Sequence, residues 1–376
     1  MLAAGTMIDG KYRVVRLLGE GGMGEVYEAE HAFLERRVAI KILNPEFTRN
    51  DDAVRRFYRE AQAAGRVGHE NICEVIDIGQ TVGGLPYIVM QLLVGRSLTQ
   101  LIAESAPLPI GRTVDIADQA LGALHAAHKA GIVHRDIKPD NIYLVSVGGR
   151  HDFVKLLDFG ISKVRTLDGG DNVSVTRTGT VLGTPLYMSP EQARGDSDVD
   201  ARTDVWSMGV ITYEMLIGQP PFRGDNYNQV LFSVLNAPIA SIRSQRAGVS
   251  RELDAVVMRA LERDVRRRFE SAQTFREALL GAWMSVGESG FALRASIPPG
   301  DPDLLSGDTA VGAYPTATSS EPSPAPAPAG ADTAVSERMA TVPLGYPPPG
   351  TPAPAPAAAP AVPAATPSVP AATPSV

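Results

Sequence analysis

Cysteine is almost absent from this 376-residue chain: Cys73 stands alone, so no intrachain disulfide can form. A single thiol fits a reducing compartment and a small buried side chain. A basic excess is missing too. With 35 Lys and Arg against 42 Asp and Glu, the formal net charge is −7, which argues against any general affinity for nucleic acid or anionic lipid. No charge-free apolar run of about 18–20 residues occurs, so no membrane span is expected. The opening MLAAGTMIDGKYRVV lacks the basic-then-apolar order of a secretion signal, so a cytoplasmic location is expected. What the chain does have is 44% hydrophobic residues, enough at this length for a two-lobed body with a sizeable core.

Composition changes near Ile297. Residues 298–376 hold 20 prolines, one Arg (Arg338) and no Lys, and their six acids give a net charge of −5. Such a segment cannot bury enough apolar surface to offset the entropy of ordering it. Stretches such as PSPAPAPAG favour extended polyproline II. VPAATPS fills 362–368 and again 369–375, and Val376 opens a third copy, as a piece of a longer form would. A seven-residue repeat without apolar heptads marks a linker, not a coiled coil. The expected division is an extension over 1–11, a folded domain over 12–283, and a disordered Pro/Ala-rich linker or tail over 284–376.

The folded part divides again. YRVVRLL, EVYEAE, RRVAIKIL and YIVM read as strands, interrupted by one amphipathic stretch at 51–66. From about residue 97 helical periodicity takes over, as in GRTVDIADQALGALHAAHKAG with Gly131 at its end. The expected fold class is α+β, with a β-rich lobe (about 12–90) before a larger helical lobe (about 97–283).

The stretch LGEGGMGEVY places Gly19, Gly21 and Gly24 at G-x-G-x-x-G spacing. A dinucleotide fold would follow these glycines with a helix, whose N-terminus receives the pyrophosphate. Here EVYEAE follows, and Val26 and Tyr27 favour strand. The glycines therefore sit at a hairpin tip, where a chain without side chains can lie over a triphosphate and donate N–H groups to it.

Further motifs follow in order: VAIK with Lys41, HRDIKPDN at 134–141, DFG at 158–160, GTPLYMSPE at 183–191 and DVWSMG at 204–209. Together they resemble the eukaryotic-type protein kinase family over roughly 12–283, and are most similar to its bacterial Ser/Thr members. The resemblance implies a bilobal kinase-like fold and transfer of the ATP γ-phosphate to Ser or Thr of proteins, with ATP and Mg²⁺ as cofactors. It implies that Lys41 grips the α- and β-phosphates with Glu60 as its ion-pair partner. Asp136 would orient the substrate hydroxyl and take its proton, and Lys138 would balance γ-phosphate charge. Asn141 and Asp158 would supply oxygen ligands to Mg²⁺. Leu18, Gly19, Glu20, Gly21, Gly22 and Gly24 would cover the nucleotide. Val26 and Ala39 would lie over adenine, with hydrogen bonds from the backbone of Gln91 and Leu93. Two positions depart from the pattern: Gln91 replaces a usual Glu, and Tyr143 stands where a smaller aliphatic often floors the pocket.

The same resemblance makes Asp204 an anchor for the catalytic-loop backbone, Thr184 a tie between that loop and the substrate segment, and Glu191 a partner for Arg268. For the last pairing Arg266 and Arg267 compete with Arg268 in RRRFES, and Val265 replaces a usual proline just upstream. Arg135 would face a phosphate on Thr176 or Thr178, so that autophosphorylation orders the loop. A homodimer is one arrangement that would serve this reaction. Two other readings share the motifs. A small-molecule phosphotransferase is disfavoured by Lys138 and GTPLYMSPE. A non-catalytic scaffold with a partner-recruiting Pro-rich tail has no need of Lys41, Asp136, Asn141 and Asp158 together.

Overall fold

Strand pairing around the glycines answers the first structural question. In the computed structural model, which describes residues 1–158 and 185–285, β1 (Met7–Ile8) pairs with β2 (Tyr12–Gly21). β2 turns through Gly22 and Met23 straight into β3 (Gly24–His31), with Gly21 opposite Gly24. A strand, not a helix, follows the glycines, as the β-branched and aromatic residues after Gly24 require. β4 (Arg37–Leu43), β5 (Val75–Gln80) and β6 (Pro86–Gln91) complete a six-stranded sheet of order β1-β2-β3-β4-β6-β5.

Between β4 and β5 lies α1 (Asp51–Val67). It begins where the Asn50 side chain accepts N–H bonds from Asp52 and Ala53, and ends at Gly68 with φ of 59°. Its buried face is Ala53, Phe57, Ala61 and Ala63. Residues 1–11, expected as an extension, add to this sheet: Ile8 is 2% exposed and packs with Tyr12, Tyr27 and Val89.

The second lobe opens with β7 (Gly95–Ser97), α2 (Leu98–Ser105) and α3 (Ile110–Lys129). β8 (Ile142–Val147) and β9 (Arg150–Leu156) then form a three-stranded sheet with β7. After residue 185 come α4 (Pro190–Arg194), α5 (Arg202–Ile217), α6 (Tyr227–Asn236), α7 (Ile242–Gln245), α8 (Arg251–Ala260) and α9 (Ala272–Met284). Every residue of α5 from Thr203 to Leu216 is buried, so this helix is the post on which the lobe is built. Thr176, Thr178, Thr184 and residues 286–376 of the expected linker lie outside the described residues, while Met284, placed in the linker from the sequence, is the last residue of α9.

Burying α5 leaves polar groups that need partners, and they are spent on holding loops. Ser207 Oγ donates to the Tyr187 carbonyl at 2.7 Å, Tyr187 Oη donates to Glu214 at 2.7 Å, and Thr203 Oγ1 donates to Gln192 at 2.7 Å. Burial pushes the Glu214 carboxyl above its ordinary value, against the bond from Tyr187. The second residue of α4, the buried Glu191, meets Arg268 in a two-pronged pair at 2.7 and 2.6 Å. The Arg268 side chain is fully buried, donates also to the Glu262 carbonyl at 2.7 Å, and sits over the Trp206 ring. The pairing holds despite Val265.

A buried pair broken on one side strands a charge. Glu191→Ala should therefore lose about 3–5 kcal/mol of stability, whereas Arg55→Ala, which removes an exposed pair with Asp52, should lose less than about 1 kcal/mol. Urea titration of both variants checks the difference.

Candidate active site

Backbone register places the residues around the glycine turn and Lys41. Gly24 is needed on steric grounds: a Cβ there would come within 2.2 Å of the Ile42 carbonyl oxygen on β4. The close β3–β4 approach sets Val26 opposite Lys41, with Ile88 of β6 on Lys41's other side. Leu18, Ala39, Met90, Leu93 and Tyr143 join one apolar cluster between the two sheets, with Val26 packed against it. Tyr143, the larger floor residue, turns its hydroxyl to the Gly95 carbonyl at 2.9 Å, so its ring stays in the cluster without a stranded polar atom. At the end of β6 the Gln91 N–H donates to the Glu74 carbonyl at 2.9 Å. What Gln91 can still offer a base is its own carbonyl, against which the Cys73 thiol rests at 3.8 Å. Burial pushes the Cys73 thiol up to about 12, which makes it inert.

Lys41 Nζ contacts Asp158 Oδ1 at 2.8 Å. The expected partner Glu60 lies along the same cavity and acts on Lys41 through its charge, while the direct ion pair goes to Asp158. Burial works against the Lys41 charge, yet Asp158 and then Glu60 outweigh it and hold the ammonium above its ordinary value. Burial likewise opposes the Asp158 charge, and Lys41 outweighs it, so that carboxyl is held low. Both groups are charged at neutral pH. A cavity of about 60 Å³ runs behind them, past Ala61 and Ala64 of α1 to Met90.

Across the cleft, Asn141 donates through Nδ2 to the Asp136 carbonyl at 2.8 Å and to Asp136 Oδ2 at 3.3 Å, while Lys138 Nζ lies 3.6 Å from the same oxygen. The loop carrying them hangs from α5. Asp204 accepts the His134 N–H at 2.9 Å, the Arg135 N–H at 2.8 Å and His128 Nε2 at 2.7 Å. Arg135 has φ of 64°, a left-handed conformation that costs about 1–3 kcal/mol for a non-glycine residue, and the Asp204 bond to its N–H holds it there. The Arg135 side chain donates to the Val199 carbonyl at 3.1 Å, and its Nε is buried with no partner among the described residues.

His128 and His134 carry structural weight that the motifs alone leave unassigned. His134 is fully buried; Nε2 faces the Leu157 carbonyl at 3.0 Å and Nδ1 faces the Asp136 N–H at 3.3 Å. Its proton therefore sits on Nε2, and the ring spaces Asp136 from the strand end that carries Asp158. A signal for His128 does exist in the sequence, since it lies in the last turn of the helix leading to the loop.

The donor set fits a hard cation. Asn141 commits its amide nitrogen to Asp136, which leaves its amide oxygen free to ligate, and Asp158 adds carboxylate oxygen. Among the described residues no cluster of three or more His, Cys, Asp or Glu forms a metal cage. Two oxygen ligands suit Mg²⁺, which keeps several waters and takes its remaining ligands from phosphates.

The protein kinase domain family model matches residues 12–283. This chain belongs to the protein kinase family. It is 41% identical over 277 residues to serine/threonine-protein kinase pkn3 of Myxococcus xanthus, covering 73% of this chain and 50% of that protein. It is 39% identical over 276 residues to serine/threonine-protein kinase PknB of Mycobacterium tuberculosis, covering 73% and 43%. The crystal structure of the Mycobacterium tuberculosis PknI kinase domain is similar with a TM-score of 0.58 at 31% identity, covering 75% of this chain and all of that one. The chain thus spans half or less of the length of the curated relatives it matches. No helix among the described residues is long and apolar enough to cross a membrane.

Burial holds the His134 ring below its ordinary value despite Asp204 and Asp136. As pH falls below about 6.5, the unfolded chain takes up a proton that the folded chain refuses, so stability should drop. NMR should show His134 neutral at a pH where exposed histidines are charged, with the melting temperature lower at pH 5.5 than at 7.5. A normal His134 titration with no loss of stability contradicts this.

Proposed function

We propose that the chain is an ATP- and Mg²⁺-dependent protein Ser/Thr kinase. The observation that carries this reading is the facing of two charge systems: the Lys41–Asp158 pair and the Asp136–Lys138–Asn141 group on a loop suspended from Asp204. Phosphoryl transfer asks mainly for positioning and charge neutralisation, and these two systems supply both.

In this reading Leu18, Val26, Ala39 and Tyr143 sandwich adenine, and the Gln91 carbonyl with the Leu93 backbone hydrogen-bonds it. Gly19, Glu20, Gly21, Gly22 and Gly24 lie over the phosphates at the β2–β3 turn. Lys41 holds the α- and β-phosphates, kept charged by Asp158 and Glu60. Asn141 and Asp158 hold Mg²⁺, which neutralises phosphate charge when bound. Asp136 orients the incoming Ser or Thr hydroxyl and accepts its proton, and Lys138, close to the same carboxylate oxygen, draws the transferring phosphoryl's charge toward that hydroxyl. The substrate peptide rests on the segment that α5 holds through Ser207, Thr203 and Glu214.

Regulation follows from Arg135. Its Nε lacks a partner among the described residues, and a phosphate on Thr176 or Thr178 would supply one. The lone buried thiol fits a reducing, cytoplasmic location. Autophosphorylation between two copies in a homodimer fits this scheme.

One experiment tests the reading. Purified chain incubated with ATP and Mg²⁺ should carry phosphate on Ser and Thr only, including Thr176 or Thr178, by mass spectrometry. Asp136→Asn should lower transfer by about 10²–10⁴-fold while ATP binding stays near normal, because Asp136 acts on the hydroxyl. Phosphate-free wild type, or an Asp136→Asn variant that transfers at full rate, overturns it.

A further inference from the structure

Behind the cleft lies a second cavity, about 160 Å³, that the reaction above does not use. Its walls come from four places: the turn after α1 (His69, Asn71), the middle of α3 (Asp118, Gln119), the start of β9 (Arg150) and α9 (Arg276). A water needs only about 10–15 Å³ of such space, so a small hydrated ion fits with room to spare.

Counting hydrogen-bond capacity decides what kind of ion. The inner acceptors of the wall, Asp118 and Gln119, are committed, and Glu70 lies exposed at its rim. Asp118 takes Arg276 Nε at 2.7 Å and Nη2 at 3.3 Å. Gln119 Oε1 takes the Val154 N–H at 3.0 Å and Asn71 Nδ2 at 3.2 Å. The donors are not. Arg276 Nη1 has no partner among the described residues. Arg150 is half exposed and reaches its carboxylate partner, Asp115, only through one long contact at 3.3 Å. His69 accepts the Asn71 N–H on Nδ1 at 3.1 Å, so its proton sits on Nε2 as a further donor. The remaining charges nearby include Lys155, close enough to act on His69, Glu277, close enough to act on Arg276, and Glu70 at the wall, which lies open to water.

From this excess of uncommitted donors we infer that the cavity is a binding site for a small oxyanion of the phosphate class, held between Arg150, Arg276 and His69. The ligand would join the turn that continues α1, the helix carrying Glu60, to α3 and α9 of the other lobe. Charge-assisted N–H···O bonds supply the affinity, and Glu70 limits it by repulsion. The site shares no residue with the nucleotide cleft, so its occupancy can be read without turnover.

Inorganic phosphate at constant ionic strength is the probe, and the imidazole NMR signals of His69 are the readout. Phosphate should shift them saturably and raise the His69 titration midpoint, because an anion favours the charged ring. Arg150→Gln should weaken the effect roughly ten-fold, the loss of one charge-assisted bond. Glu70→Gln, which removes no contact inside the fold, should strengthen it several-fold. A short phosphoserine peptide run alongside identifies the source. Tighter binding than free phosphate assigns the site to a phosphorylated protein, and equal binding assigns it to the free ion. A His69 signal that ignores both probes, or shifts equally in wild type and both variants, overturns the inference and leaves the cavity to water.

Discussion

Asp204 is buried without exposure in the first turn of the most enclosed helix, and its two oxygens accept from three groups on a single stretch of chain. A carboxylate in such a place costs stability unless its bonds are all made. They are made by His128 at the end of α3 and by two successive backbone N–H groups of the loop that follows. One of those N–H groups belongs to Arg135, whose backbone adopts the left-handed conformation. The loop therefore cannot relax without abandoning a buried acceptor, and the positions of Asp136, Lys138 and Asn141 inherit that rigidity. The same helix fixes Tyr187, Ser189 and Gln192 through its hydroxyls. One element thus sets both the proposed chemical loop and the proposed peptide platform.

Against this fixed half stands the strand that carries Lys41. Val26 and Ile88 flank it in register, so its direction is set by the sheet, and its end is set by charge. The pair with Asp158 is short, and Asp158 itself has φ of 40°, outside the region most residues prefer. Glu60 adds its field from α1. Any phosphate bound here would compete with the nearer carboxylate, Asp158, for the Lys41 ammonium, and the shared cavity with Ala61 and Ala64 leaves space beside it.

Much of this was legible in the sequence because the chemistry demands particular residue types at short spacing. Val26 and Tyr27 after the third glycine told strand from helix, and the β2–β3 pairing agrees. Asp204 and the Glu191–Arg268 pair were readable through the family resemblance, and both contacts form. Other features depend on residues far apart in the chain, where spacing says nothing. Met7–Ile8 is too short a pattern to read as a strand, yet it completes a sheet edge. The direct partner of Lys41 is chosen by where a strand end brings Asp158, 117 positions away. The fixed need for glycine at 24 comes from the Ile42 carbonyl on the neighbouring strand. Arg150 and Arg276 meet at one cavity only because a β-hairpin and the last described helix both pack on α3.

A buried carboxylate on α5 holds the proposed catalytic loop in its working shape. Asp204→Asn tests it most directly, since the side chain keeps its size and loses one of two acceptor oxygens. Phosphate transfer to a model protein and ATP binding should be measured together on the folded variant. Turnover should fall about 10²-fold or more, the usual cost of misplacing reacting groups by an ångström, with ATP affinity little changed because Asp204 lies on α5, away from the β2–β3 turn. Wild-type turnover in a folded Asp204→Asn protein would contradict it.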